Sequence, residues 1–150
     1  MNADAVKVDR VLEVSDEVVE VVERLLPQLS ATATGPGRAA LKELVASSAS
    51  ALFVAHLASR PDEIVGIITL VVYRIPSGVH AVVEDVVVDE SARGHGVGAA
   101  MLDEAIELAR SRGALHVNLT SRSSREAANR LYKRAGFVIR ETNVYRLNLS

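Results

Sequence analysis

Residues 82–100 read VVEDVVVDESARGHGVGAA, and the rest of the chain is understood from this stretch outward. It begins as a run of β-branched residues, Val82 to Val88, interrupted only by Glu84 and Asp85. Valine on both faces of a short run predicts a strand lying centrally in a sheet. Glycines at 94, 96 and 98 follow, then a helical pattern from about Val97 to Arg112 that Gly113 closes. Glycine lets a backbone turn sharply and present its N–H groups with no Cβ in the way. Between a strand and a helix those groups converge on the positive end of the helix, which suits a phosphate or diphosphate. Arg93 adds a forked cation at the mouth. A glycine-rich turn of structural use only is the plain alternative, but three alternating glycines behind an arginine exceed what a turn needs.

Two apolar runs precede this stretch, Ala51 to Leu57 and Ile64 to Arg74, with turns at 58–63 and at Pro76-Ser77-Gly78. Such short connections predict an antiparallel meander leading into a strand from about Ala81 to Val88. Further upstream, Val6 and Val8 alternate with charged residues as in a short strand with one wet face. Ser15 then offers a helix cap, with Val18, Val22, Leu25 and Leu29 at helical spacing, and a loop over 31–37 leads to a second helix from Arg38 to about Ser47. Downstream, Leu115 to Thr120 reads as a strand, parallel to 82–88 because a strand–helix–strand crossover is right-handed. Ser123-Ser124 caps a further helix to Ala135, Gly136 ends it, and Phe137 to Leu149 reads as two strands broken near Thr142-Asn143. The expectation is an α/β fold: a mixed sheet of about seven strands with helices on both faces, one domain over residues 1–150.

Composition narrows the function. The 150 residues carry 17 Lys+Arg against 19 Asp+Glu, a balance that argues against a nucleic-acid partner. Five aromatic residues, two Phe and three Tyr, leave little for a base-stacking platform. There is no cysteine, so disulfides, thiolate metal sites and cysteine nucleophiles are excluded. His56, His80 and His116 fall in strands without partners at metal spacing, so no metal is expected. The segment Met1 to Asp4 lacks the basic and apolar regions of a signal peptide, and Ile64 to Tyr73 is too short to span a bilayer. A cytoplasmic protein with no membrane partner is expected.

Two anion-binding patterns overlap on the loop. Gly94-x-Gly96-x-x-Ala99 satisfies a dinucleotide fingerprint. That fingerprint expects an acid near the end of the next strand, where this chain has Asn118 to Arg122, and it needs more parallel strands than remain. An NAD(P)-dependent oxidoreductase therefore stays a distant alternative. In contrast, Arg93-x-x-Gly96-x-Gly98 after an apolar strand resembles the acyl-CoA diphosphate loop of the GNAT superfamily of N-acetyltransferases. Ala128-x-x-Leu131-Tyr132-x-x-x-Gly136-Phe137 resembles that family's second signature, in the family's order and at its spacing.

This resemblance implies a splayed sheet, acetyl-CoA as acyl donor, and direct attack by a primary amine, most simply on a small molecule. The backbone amides of Val86, Val87 and Val88 would hold the pantetheine arm and the thioester oxygen, which suits an oxyanion's need for fixed donors. Arg93, Gly94, His95, Gly96, Val97, Gly98 and Ala99 would cradle the diphosphate. Glu84 is implied as general base, with Asp85 in reserve or on the substrate, although neighbouring strand residues share a face only across a bulge. Tyr132 is implied at the leaving thiolate. Arg125 stands where the family commonly has a cofactor-contacting asparagine, so Arg125 and Asn129 are both cofactor candidates. The acceptor is expected among the first helices and loop 31–37, with Tyr73, Arg74 and Tyr145 in contact. The strand from Thr142 to Leu149 would permit a homodimer. A non-catalytic acyl-CoA sensor would keep the loop without the chemistry.

Overall fold

The computed structural model describes residues 4–150; Met1 to Ala3, on which part of the signal-peptide reading falls, lie outside the described residues. The chain divides into two compact units, residues up to Thr120 and Ser121–Ser150.

The first unit is built on a five-stranded sheet of order β1-β2-β3-β4-β5. Its strands are β1 (Val6–Arg10), β2 (Ser50–Leu57), β3 (Gly66–Ile75), β4 (Gly78–Val88) and β5 (Val117–Asn118). The first four form an antiparallel meander, and β5 joins β4 in parallel. Helix α1 (Asp16–Leu29) starts at the expected cap, where the Ser15 hydroxyl accepts from the Val18 N–H at 3.2 Å. Helices α2 (Arg38–Ala46) and α3 (Val97–Ser111) complete the unit.

Alternation along the strands sorts the helices onto two faces. Leu52, Val54, Ile67 and Val87 share one buried cluster with Val18, Val22 and Leu25 of α1 and Leu41 of α2. Gly66, one position from Ile67, faces the other way, and a Cβ there would stand 2.9 Å from Val97 and 3.0 Å from Met101 of α3. Glycine at 66 is therefore what lets α3 lie close to the sheet. The apolar runs that predicted strands and the 3.6-residue stripes that predicted helices meet in these two layers.

The second unit holds α4 (Glu126–Arg134). Two sequence expectations need correction here. Arg125, not Ser123 or Ser124, is the α4 cap, and it makes no side-chain cap bond. Of the expected seven strands, the two over 137–149 are not formed: the last strand residue is Asn118. Their alternating pattern is real, but a strand exists only in a hydrogen-bonded ladder, and Val144, Tyr145, Leu147 and Leu149 are 76–94% exposed. The last strand of the sheet is also shorter than the apolar run from Leu115 to Thr120, because its ladder with β4 stops after Val82↔Asn118. Among the described residues no helix is long and apolar enough to cross a membrane.

Candidate active site

The early end of the β4–β5 ladder exposes the part of β4 that carries the two carboxylates. Ala81 donates its N–H to the His116 carbonyl at 3.2 Å, facing β5, whereas Asp89 donates to the Val65 carbonyl at 2.8 Å, on the β3 side. Amide direction alternates along a regular strand, so residues an even number of positions apart should face the same way. These two face opposite ways because one extra residue intervenes. Thr69 pairs with Glu84 and Ile67 with Val87, which leaves Asp85 and Val86 opposite Ile68 alone. Asp85 takes the strain at φ +49°, in a region that aspartate tolerates better than most side chains.

This bulge resets which amides are free. Counting back from Asp89, the N–H groups of Val88 and Val86 point away from β3, and that of Val87 points toward it. No strand of the described residues lies beside Val86 and Val88 on their free side. The strand expected to be central is thus paired on both sides only along its first half.

Glu84 shares its face with Thr69 and Leu52, the face covered by α1 and α2. Partial burial, with the charge of Asp85 second, raises its carboxyl above the ordinary 4.5. A carboxylate whose proton is held more tightly than usual is a better acceptor for an ammonium proton at neutral pH. Glu84 and Asp85 are both solvent-accessible, so the buried central strand read from the valines is open at these two positions.

Beyond β4, a single 3-10 turn (Glu90–Ala92) leads into the glycine loop. Gly94 and Gly96 have φ of +83° and +80°, and nothing lies within 4 Å of where their Cβ atoms would be. Gly96 caps α3 without any side-chain hydrogen bond, so the first-turn N–H groups are left for a ligand. Arg93 and His95 are exposed beside it, while Val97 and Gly98 are buried in the first turn of α3. The loop has open space, positive backbone ends and a cation, which is what a diphosphate requires.

In the second unit, Tyr132 is buried at 7% exposure and meets Phe137 edge-on, ring centroids 6.1 Å apart. Burial raises its hydroxyl above 10.0, against a smaller opposing effect from Arg125, so the phenol keeps its proton through the neutral range. Asn129 donates its side-chain N–H groups to the carbonyls of Arg122 and Arg125 at 2.9 and 2.8 Å. It shapes the loop before α4, which engages the side chain expected to reach the cofactor. Arg125 remains exposed.

Other expected contacts are dispersed. Tyr73 pairs with His80 and Arg74 with Val79, at the far end of the β3–β4 hairpin. From Thr69, opposite Glu84, Tyr73 is about 13 Å along the strand at the usual rise per residue. Tyr73 and Arg74 are therefore not brought to Glu84; Tyr73 instead joins His80 and His116 in an aromatic cluster. Tyr145 is 87% exposed in the strandless segment. Among the described residues no group of three or more His, Cys, Asp or Glu side chains could hold a metal ion.

Sequence reading passed over Asp89, Arg24 and Gln28. Asp89 is the one buried charged residue among those described, and it is ion-paired with Arg24 of α1. A carboxylate directly after an apolar strand, with a helical Arg and Gln at i and i+4 elsewhere, was the only available signal. Nothing in the sequence joins the two.

Residues 19–137 match the family model described as acetyltransferase (GNAT) family. No curated protein matches the chain. Among solved structures, an acetyltransferase from Trypanosoma brucei is 25% identical, with a TM-score of 0.74 over 97% of this chain and 100% of that one. An aminoglycoside acetyltransferase from an uncultured soil metagenomic sample, in complex with trehalose, is 20% identical with a TM-score of 0.81 over 97% and 96%. Glucosamine-6-phosphate N-acetyltransferase from Arabidopsis thaliana is 20% identical with a TM-score of 0.78 over 96% and 99%. At 20% identity these last two establish likeness of fold.

Proposed function

We propose, from the premise that the chain belongs to the GNAT acetyltransferase family, that it moves an acetyl group from acetyl-CoA to a primary amine of a small cationic acceptor. The observation that carries this reading is the bulge in β4, which frees the Val86 and Val88 amides and leaves Glu84 accessible on the face covered by α1 and α2.

Acetyl-CoA supplies an activated thioester. The diphosphate would be held by Arg93 and by the main-chain N–H groups of residues 94–99, where positive φ at Gly94 and Gly96 leaves room for it. Of the free N–H groups of Val86 and Val88, which lie about 7 Å apart along the strand, one would donate to the acyl oxygen and the other to the pantetheine arm, as fixed dipoles that need no reorganisation as charge develops. Val87, turned toward β3, is the weakest of the three expected donors. Glu84 takes the proton from the acceptor ammonium, directly or through water, and Asp85 adds a second negative charge that favours a cationic acceptor. Tyr132, kept neutral by burial, is assigned to hydrogen-bond the departing sulfur on the strength of the family resemblance. The neighbours' activities on aminoglycosides and an amino sugar phosphate support an amine acceptor without specifying it. A cytoplasmic location suits the supply of acetyl-CoA.

Thiol release from acetyl-CoA, measured against a panel of small amines, tests the reading. Amine-dependent release that Glu84→Gln strongly reduces is expected. Acetyl-CoA binding without release on any amine would favour a sensor and overturn catalysis.

A further inference from the structure

The glycine loop is free of side-chain constraint at 94–96, yet its root is tied at nearly every polar group. Asp89 donates its N–H to the Val65 carbonyl, and its carboxylate accepts from the Ser91 N–H at 3.3 Å. Arg24 of α1 pairs with the same carboxylate and donates to the Ile64 carbonyl at 3.0 Å. Gln28, one turn further along α1, donates to Asp89 at 3.4 Å and accepts from the Glu90 N–H at 3.0 Å. Arg60 holds Ser91 by its hydroxyl and its carbonyl, both at 2.9 Å.

The Arg24–Asp89 pair is only half buried, with the Arg24 side chain 40% exposed and that of Asp89 10%, so solvent screening and desolvation leave it little net stabilising effect. Its usual value is geometric. Converging N–H groups bind an anion only when held within a fraction of an ångström, and alternating glycines cannot supply that rigidity themselves. Asp89 also sets a negative charge four residues before Arg93, at the root of the glycine turn, where an unpaired carboxylate would repel a diphosphate. Arg24 both orients that charge and cancels it.

Resting on the cofactor reading above, we propose that Arg24 and Gln28 of α1, together with Asp89 at the end of β4, are positioning residues that set the diphosphate loop for acetyl-CoA without touching the cofactor. The clasp makes α1, which also covers the Glu84 face of the sheet, part of the cofactor site's support.

The test compares wild-type protein with Gln28→Ala, Arg24→Met, Asp89→Asn and the Arg24→Met/Asp89→Asn double variant. Acetyl-CoA affinity is read by titration calorimetry, alongside steady-state KM and kcat with a fixed amine. Arg24→Met is expected to raise Kd and KM for acetyl-CoA about tenfold or more, with kcat changed far less, as a misplaced binding loop would. Gln28→Ala, which leaves the Arg24–Asp89 pair in place and strands no buried charge, should raise Kd about threefold in the same direction. The double variant should bind more tightly than Arg24→Met alone, since it removes the stranded carboxylate. A merely structural role would lower melting temperature and the fraction of active protein but leave Kd and KM at wild-type values. Wild-type binding with unchanged Kd in every variant overturns the clasp alone. Failure of the wild-type protein to bind acetyl-CoA overturns the cofactor reading and the clasp together.

Discussion

Glu84 and Asp85 sit side by side at a bulge, and each has a separable effect. The folded protein raises the Glu84 pKa, so its base form fills at higher pH than an ordinary glutamate's. Activity should therefore rise with pH along an acid limb set by Glu84. Replacing Asp85 by Asn removes a like charge, so that limb should move to lower pH, and asparagine accepts the positive φ without strain. Glu84→Gln should abolish the limb and lower kcat by about 10²–10⁴-fold, the range for a lost general base, with acetyl-CoA affinity unchanged. A pH profile of kcat/KM for the three proteins checks both; an Asp85→Asn limb moving upward would contradict the assignment. Linkage gives a matching sign for stability: the raised pKa favours the protonated fold, so this contribution is present below the ordinary value and lost as pH rises. Asp89 is opposite, its depressed pKa giving stability that is present above the unfolded value and lost as pH falls. Tyr132→Phe should lower kcat by about 10–10²-fold while leaving acetyl-CoA binding intact, read in the same thiol assay.

At the scale of elements, two glycines do different work. Gly96 lies at φ +80° with open space around it, so alanine there costs about 1–2 kcal/mol of backbone strain and turns the loop's N–H groups away from their common focus. Its effect should fall on cofactor affinity. Gly66 has an ordinary strand conformation but stands against the side chains of Val97 and Met101, so alanine there must displace one or both of them at about 1–3 kcal/mol. Thermal melts and acetyl-CoA titrations of Gly66→Ala and Gly96→Ala should show stability lost mainly in the first and binding mainly in the second. The sequence made the helices over 16–29 and 97–111 and the glycine loop legible, because caps, 3.6-residue stripes and glycine spacing are local signals. It left the bulge undecided, because an inserted residue shows only in the register against Ile67 and Thr69 on another strand. Sequence alone marks Tyr73 and Arg74 as lying near a strand end without saying which, and the pairing puts them at the β3–β4 turn, the end away from Glu84. The Arg24–Asp89 pair was illegible for a related reason, since 65 residues separate its partners.

Across the whole molecule, the meander, the parallel crossover and the helices on both faces followed from loop lengths and chain handedness. The strand count did not, because alternation over 137–149 signals strand propensity without naming an edge to pair with. Family membership carries the transferase assignment, and the acceptor is left to side chains that the chemistry does not require. The proposed function stands or falls on whether main-chain N–H groups of the loop opened by Arg93 bind the diphosphate of acetyl-CoA. Backbone amide NMR shifts on titration with CoA, and separately with NAD(P)H, test it most directly. Saturable shifts at Gly94, Gly96, Val97 and Gly98 are expected with CoA and none with NAD(P)H. Unperturbed loop amides at saturating CoA, or a response to the nicotinamide dinucleotide instead, would contradict it.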